Sequence, residues 1–142
     1  MTIADCRVVT LPKISDSRGS LSVVEGGHHI PFSIARIFYV YDLKEGSSRG
    51  GHAHRELHEF IIPIAGSFTV TLDDGREKKT FALNRPDQGL HVPPRHWIDL
   101  ADFSAGAVCC VLASDVYDDA DYLRDYEAFK DFVRAGESAG KA

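Results

Sequence analysis

His52 and His54 stand two residues apart, and Glu59 follows five positions later. Imidazole titrates near pH 6.5, so a pair of histidines can remove a proton in one step and return it in another. With a carboxylate beside them, the same residues are three donors of the kind that hold zinc. Residues two apart on a β-strand share a face, with Cα atoms roughly 6.5 to 7 Å apart, so His52 and His54 point the same way and Glu59 arrives on the next strand. Around them the stretch 46–66 reads Gly46, five residues, His-x-His, four residues, Glu59, six residues, Gly66. Two histidines that merely alternate on a polar surface would need neither the flanking glycines nor the glutamate.

The elements that must position this group are β-strands. From residue 7 to about 114 the chain breaks into short runs of β-forming residues, with turn residues every 8 to 15 positions, the rhythm of a sandwich or barrel closed on itself. The spacing predicts strands over 6–10, 19–25, 35–42, 50–54, 58–64, 66–73, 78–83, 89–92, 97–102 and 107–113. Asp16-Ser17-Arg18-Gly19, Ala65-Gly66-Ser67 and Asp73-Asp74-Gly75 supply residues tolerant of positive φ, and Asp74-Gly75 marks the clearest hairpin. After Ser114, Tyr122, Tyr126, Phe129 and Val133 fall at helical spacing, with Gly136 as a stop. The expected organisation is one domain over 1–136 and a flexible tail over 137–142.

Composition excludes several function classes. At 142 residues and 44% hydrophobic the chain suits a single core, and with 26% charged residues and no long apolar run it has no membrane segment. A net charge of −5 disfavours nucleic acid. Cys6, Cys109 and Cys110 form neither a disulfide framework nor a paired zinc-ligand spacing, and read as small apolar residues in a reducing compartment. On a strand, at most one of the adjacent pair faces inward. The N-terminus lacks secretory features, which predicts a cytoplasmic protein.

The 46–66 spacing resembles the first cupin motif without a mismatch. Segments across most of the chain resemble the nucleotide-sugar 3,4-ketoisomerases of the WxcM-like cupins: DSRGSLSVVEGG (16–27), IPFSIARIFYVYD (30–42), RGGHAH (49–54), GSFTVTLDDG (66–75), LHVPP (90–94) and DFSAGAVCCVLASDVYDDADYLRDYEAF (102–129). The resemblance implies an all-β fold, a cupin jelly-roll β-barrel with one C-terminal α-helix, assembled as a homodimer. It also implies a dTDP-linked 4-keto-6-deoxy sugar as substrate and no cofactor and no metal. The ketone would move from carbon 4 to carbon 3, supplying a deoxy amino sugar for surface polysaccharide. By the match of RGGHAH, His52 would be the base at carbon 3 and His54 the shuttle between the two oxygens, or the reverse, with Tyr39 as a hydrogen-bonding or acid partner. Arg18, Arg49, Glu59 and His96 are the candidate substrate contacts, since guanidinium suits a diphosphate. Strict alternation sets Arg49 opposite His52 unless the strand begins after Arg49.

Two departures from the family pattern bear on chemistry. His58 and Glu59 stand where the family often has Glu then Gln, which restores the glutamate of metal-binding cupins. Ile98 follows Trp97 where the family often has His or Arg. In the second cupin motif a ligand histidine follows Pro93 by five positions, where Ile98 stands, and His96 lies two residues earlier. A keto-sugar epimerase and a metal-binding cupin, either an oxygenase or a sugar sensor, are the alternative functions.

Overall fold

The structure, a computed structural model, describes residues 1–140. Its strands are β1 (Arg7–Thr10), β2 (Lys13–Asp16), β3 (Gly19–Ser22), β4 (Arg36–Val40), β5 (Arg49–His54), β6 (Glu59–Ala65), β7 (Phe68–Asp73), β8 (Lys78–Leu83), β9 (Gln88–Val92), β10 (Trp97–Ala101), β11 (Val108–Ala113) and β12 (Tyr122–Leu123), followed by helix α1 (Tyr126–Gly140). They form two five-stranded antiparallel sheets, β1-β9-β6-β11-β4 and β12-β5-β10-β7-β8, with β2 and β3 as a separate hairpin. This is a jelly-roll arrangement. It closes by packing one sheet on the other and not through a continuous ring of strand pairs, which corrects the expectation of a barrel closed on itself.

Alternation along the strands sorts side chains into layers. Between the sheets lie Ile61, Leu90, Val92, Cys109 and Val111 from the first, facing Val70, Leu72, Phe81, Leu83 and Ile98 from the second. On the outer face of the first sheet, Phe60, Ile62 and Leu112 are covered by Leu11, Ile30 and Phe32 as the chain passes over them. Cys109 is in the central layer and Cys110 packs against the outer one, so only one of the pair faces inward.

The helix begins later and runs further than its sequence pattern predicted. Tyr122 belongs to β12, which pairs with β5, and a short 3-10 turn over Asp119–Asp121 precedes it. α1 lays Phe129 against Ala53, Trp97 and Leu123, so it covers the outer face of the second sheet. It continues through Gly136 to Gly140. The flexible tail expected over 137–142 is therefore helical to 140, and 141–142 lie outside the described residues. Among the described residues no helix is long and apolar enough to cross a membrane.

One local irregularity matters for the site. β5 pairs with β10 through Ala53↔Trp97 and His52↔Ile98, then shifts so that Gly50 faces Asp99 and Arg49 faces Leu100. Gly51 is the extra residue of a β-bulge. Gly50 has φ +96°, and a Cβ there would meet the Ile98 carbonyl oxygen at 2.6 Å, so only glycine allows the two backbones this close.

Candidate active site

Strands β5, β6 and β12 bring His52, His54, Glu59 and Tyr122 to one inner surface. Cross-strand partners share a face: His52 lies opposite Ile98 of the central core, Glu59 opposite Val92 and Ala113, and His54 opposite Tyr122. The His52 and His54 rings meet edge to face with centroids 5.1 Å apart, and the Tyr122 ring lies 4.4 Å from His54 and 5.3 Å from His52.

His54 is held between two carboxylates. Its Nδ1 is 3.0 Å from Asp121 Oδ2, and its Nε2 is 3.5 Å from Glu59 Oε1 and makes no hydrogen bond. Asp121 is held in turn by the Glu56 N–H, which donates to its Oδ1 at 2.8 Å. An Nδ1–H donating to Asp121 leaves the Nε2 lone pair facing the interior. Burial, then the neighbouring His52, pulls His54 down to about 4, against the opposing pull of Asp121. Burial also lowers His52, with the Gly50 backbone acting in the opposite direction. Both imidazoles are therefore neutral at pH 7, and one nitrogen of His54 is occupied by Asp121. Burial pushes Glu59 up to about 7, with Arg36 acting in the opposite direction.

Next to His54 opens a cleft of about 160 Å³, lined among others by Arg36, Ser114, Asp121 and Tyr122. Ligand pockets typically measure about 300 to 1,000 Å³, so a sugar ring could enter here only with the rest of a nucleotide sugar outside. The chemistry available is proton transfer in a largely dehydrated interior. The same residues also fit a metal: ligand atoms of His52, His54 and Glu59 lie within 4.8 Å of one another, and the unpartnered Nε2 of His54 is 3.5 Å from Glu59 Oε1. That donor set suits a three-ligand zinc-type site.

The remaining expected site residues divide. The bulge returns Arg49 to the face of Leu100 and His52, overturning the placement by strict alternation, and Arg49 acts electrostatically on the buried Cys109 thiol from there. Tyr39 is not brought to the site: in β4 it alternates with inward Arg36, Phe38 and Val40, is 62% exposed, and lies beside Tyr41. Arg18 is likewise remote in its contacts, at the turn of the exposed β2–β3 hairpin in an ion pair with Asp16. His96 is buried, but its Nδ1 donates to the Pro93 and Pro94 carbonyls, and no ligand atom of it joins the His52 group.

Arg36, Asp121 and Tyr122 are site residues that the sequence reasoning did not single out. All three lie in segments that carry the family resemblance. Tyr122 sits four residues before Tyr126, in phase with the helix, so periodicity gave no sign that it belongs to a strand.

Residues 4–134 match the sequence family described as FdtA: WxcM-like, C-terminal. A TDP-4-oxo-6-deoxy-alpha-D-glucose-3,4-oxoisomerase from Aneurinibacillus thermoaerophilus is 44% identical over 127 residues, covering 89% of this chain and 91% of that one. The crystal structure of a 3,4-ketoisomerase from Helicobacter canadensis superposes with a TM-score of 0.89 at 42% identity, covering 92% of this chain and 98% of that one. QdtA, a sugar 3,4-ketoisomerase from Thermoanaerobacterium thermosaccharolyticum solved with TDP, gives 0.91 at 34% identity, covering 95% and 98%.

Proposed function

The chain belongs to the WxcM-like FdtA family, and on that premise we propose that it is a nucleotide-sugar 3,4-ketoisomerase acting on TDP-4-keto-6-deoxyglucose. The observation that carries the chemistry is the pair of neutral imidazoles 5.1 Å apart on the inner face beside the cleft, with His54 pinned through Nδ1 by Asp121. His52, the less buried of the two, takes the proton from carbon 3 of the 4-keto sugar. The electron pair left behind forms the carbon 3–carbon 4 double bond of an enediolate. His54 carries the hydroxyl proton from the carbon 3 oxygen to the carbon 4 oxygen, and the proton held by the His52 imidazolium, after exchange with water, is returned to carbon 4, which completes the 3-keto product and restores neutral His52. No atom or electron is gained overall. Asp121 holds the His54 ring and its tautomer, Tyr122 presents its ring to both imidazoles, and Arg49 and Arg36 supply cationic charge for the enediolate or diphosphate. Proton transfer of this kind is worth about 10²- to 10⁴-fold in rate.

The protein works as a homodimer. Ile14, Leu21, Ile37, Tyr39, Tyr41 and Ile64 are exposed, several on the outer face of the first sheet and the β2–β3 hairpin, and a second copy would cover them. It acts in the cytoplasm, where its product would feed amination at carbon 3 toward a surface polysaccharide. A metal-binding cupin is the second reading, favoured by the convergence of His52, His54 and Glu59. A bound divalent ion would supply a Lewis acid at the sugar oxygens.

The test is proton NMR of TDP-4-keto-6-deoxyglucose in deuterium oxide with chelator-treated protein and with His52→Asn. A 3-keto product deuterated at carbon 4, formed at least about 100-fold more slowly by the variant, is expected. Deuterium at carbon 3 without ketone migration would indicate an epimerase. Turnover restored only by metal would favour the second reading.

A further inference from the structure

A second histidine cluster lies on the other side of the first sheet. His91 in β9 sits between Leu90 and Val92, which point into the core, so its own side chain faces outward toward the segment that crosses Phe60. His58, immediately before β6, stacks on it with ring centroids 5.3 Å apart and planes 10° from parallel, its Nδ1 3.1 Å from His91 Nε2. Phe32 packs against both rings, at 5.7 and 5.8 Å. The pair borders a cavity of about 670 Å³ that His28, His29, Asp5 and Arg7 also line. None of these residues faces the His52 site, and the proposed isomerisation uses none of them.

We propose that His58 and His91, completed by His28, bind a divalent transition metal of the zinc class and clamp the chain around residues 24–34 to the outer face of the first sheet. Two imidazole nitrogens bound to tetrahedral zinc, each at about 2.0 to 2.1 Å, stand about 3.3 Å apart, close to the 3.1 Å of the His58–His91 hydrogen bond, and a shift of its proton to the other nitrogen of the donating ring leaves both lone pairs for the ion. His28, in the lining of the same cavity, is the third ligand. Its side chain is 70% exposed, pairs through Nδ1 with the Glu25 carboxylate at 3.6 Å and stacks on His29 with ring centroids 4.2 Å apart, contacts it must leave to bind the ion. His29 is not equivalent, because its Nδ1 accepts the Glu25 N–H at 2.8 Å and its proton must therefore sit on Nε2.

Among the described residues only His52, His54 and Glu59 place three ligand atoms within 4.8 Å. Metal binding at the outer cluster thus requires His28 to swing inward, and that movement couples the ion to the order of the crossing segment. Both rings pack against Phe32, and an uncharged imidazole is a lone-pair donor. This favours a cation over the anion that four histidines and an arginine would otherwise suggest. Clamping residues so distant in sequence stabilises the fold whenever the metal is present.

The experiment is a zinc titration of the full chain at pH 7.5 against a chromophoric chelator, with thermal unfolding in parallel, for the wild type, His91→Gln, His28→Gln and His52→Asn. One equivalent should be lost in His91→Gln and retained in His52→Asn. In His28→Gln it should be weakened by more than about tenfold, the low end of what losing a supporting residue of a metal site costs. Zinc should raise Tm in the wild type and in His52→Asn but not in His91→Gln. A wild type that binds no zinc, equal stoichiometry in His91→Gln, or an equivalent lost only in His52→Asn would overturn the proposal, the last by assigning the metal to the inner site. Should His91→Gln fail to fold, the exposed His28→Gln decides alone, and unchanged affinity there overturns it.

Discussion

Replacing Glu59 with Gln should stabilise the protein at neutral and alkaline pH, although the residue lies at the centre of the site. Glu59 is 4% exposed, and burial raises its carboxyl from an ordinary 4.5 to about 7. That change is a factor of a few hundred in proton affinity, worth about 3 kcal/mol at about 1.4 kcal/mol per tenfold. The folded state binds the proton more tightly than the unfolded state. Its contribution is therefore fully present below pH 4.5 and is lost as pH rises toward 7. Gln occupies the same volume, carries no titrating group, and escapes this loss.

His54 works in the opposite direction. Its folded value of about 4 lies below the ordinary 6.5, so the unfolded state binds more protons between those limits and stability rises with pH across them. In the wild type the two slopes oppose each other between about pH 4.5 and 6.5, and only the difference between variant and wild type isolates Glu59. Urea unfolding from pH 4.5 to 8.5, at one protein concentration to hold any association constant, measures that difference by linear extrapolation. Equal stability near pH 4.5 and an advantage for Glu59→Gln growing to about 3 kcal/mol by pH 8 are expected. A difference independent of pH would refute the reasoning, because it would mean that the buried carboxyl titrates as it does in the unfolded chain.

Two further predictions concern the groups around it. Asp121→Asn should lower kcat by at least about tenfold with little change in KM, since Asp121 acts on the substrate only through the His54 tautomer; steady-state kinetics showing unchanged kcat would remove it from the mechanism. Phe129→Ala should cost about 3 to 5 kcal/mol in urea unfolding, because the Phe129 ring is fully buried between α1 and the second sheet.

Much of the inner surface was legible because it rests on local rules. A period of two places His52 and His54 together whatever the rest of the fold does, and the same period separates Cys109 from Cys110. The misplacements arose where one residue breaks a period or a partner strand overrides it. Strict alternation alone would set Arg49 opposite His52, but the extra Gly51 reverses the parity of the strand, and a pair of adjacent glycines does not by itself announce a bulge. The resemblance offered Tyr39 as a hydrogen-bonding or acid partner, but in β4 Arg36, Phe38 and Val40 take the inward positions and Tyr39 the outward one. Sheet closure also depends on which edges pair, a long-range outcome that strand lengths do not carry.

Tyr122 and Asp121 show why the C-terminal segment belongs to the site as well as to the fold. Two residues of β12 cannot form a stable strand alone, and their pairing with His54 and Ala53 persists only if something holds them against β5. α1 supplies that support, because Phe129 and Leu123 share a buried cluster with Ala53 and Trp97. Ala53 lies between the two histidines in sequence and faces the helix, while its neighbours face the interior. The cluster that fixes α1 therefore fixes the backbone carrying His52 and His54 and the short strand carrying Tyr122. It also sets the 3-10 turn that directs Asp121 at His54 Nδ1. Loosening the helix should thus release the His54 tautomer before it unfolds the sheets, so activity should respond to damage in this cluster earlier than global stability does.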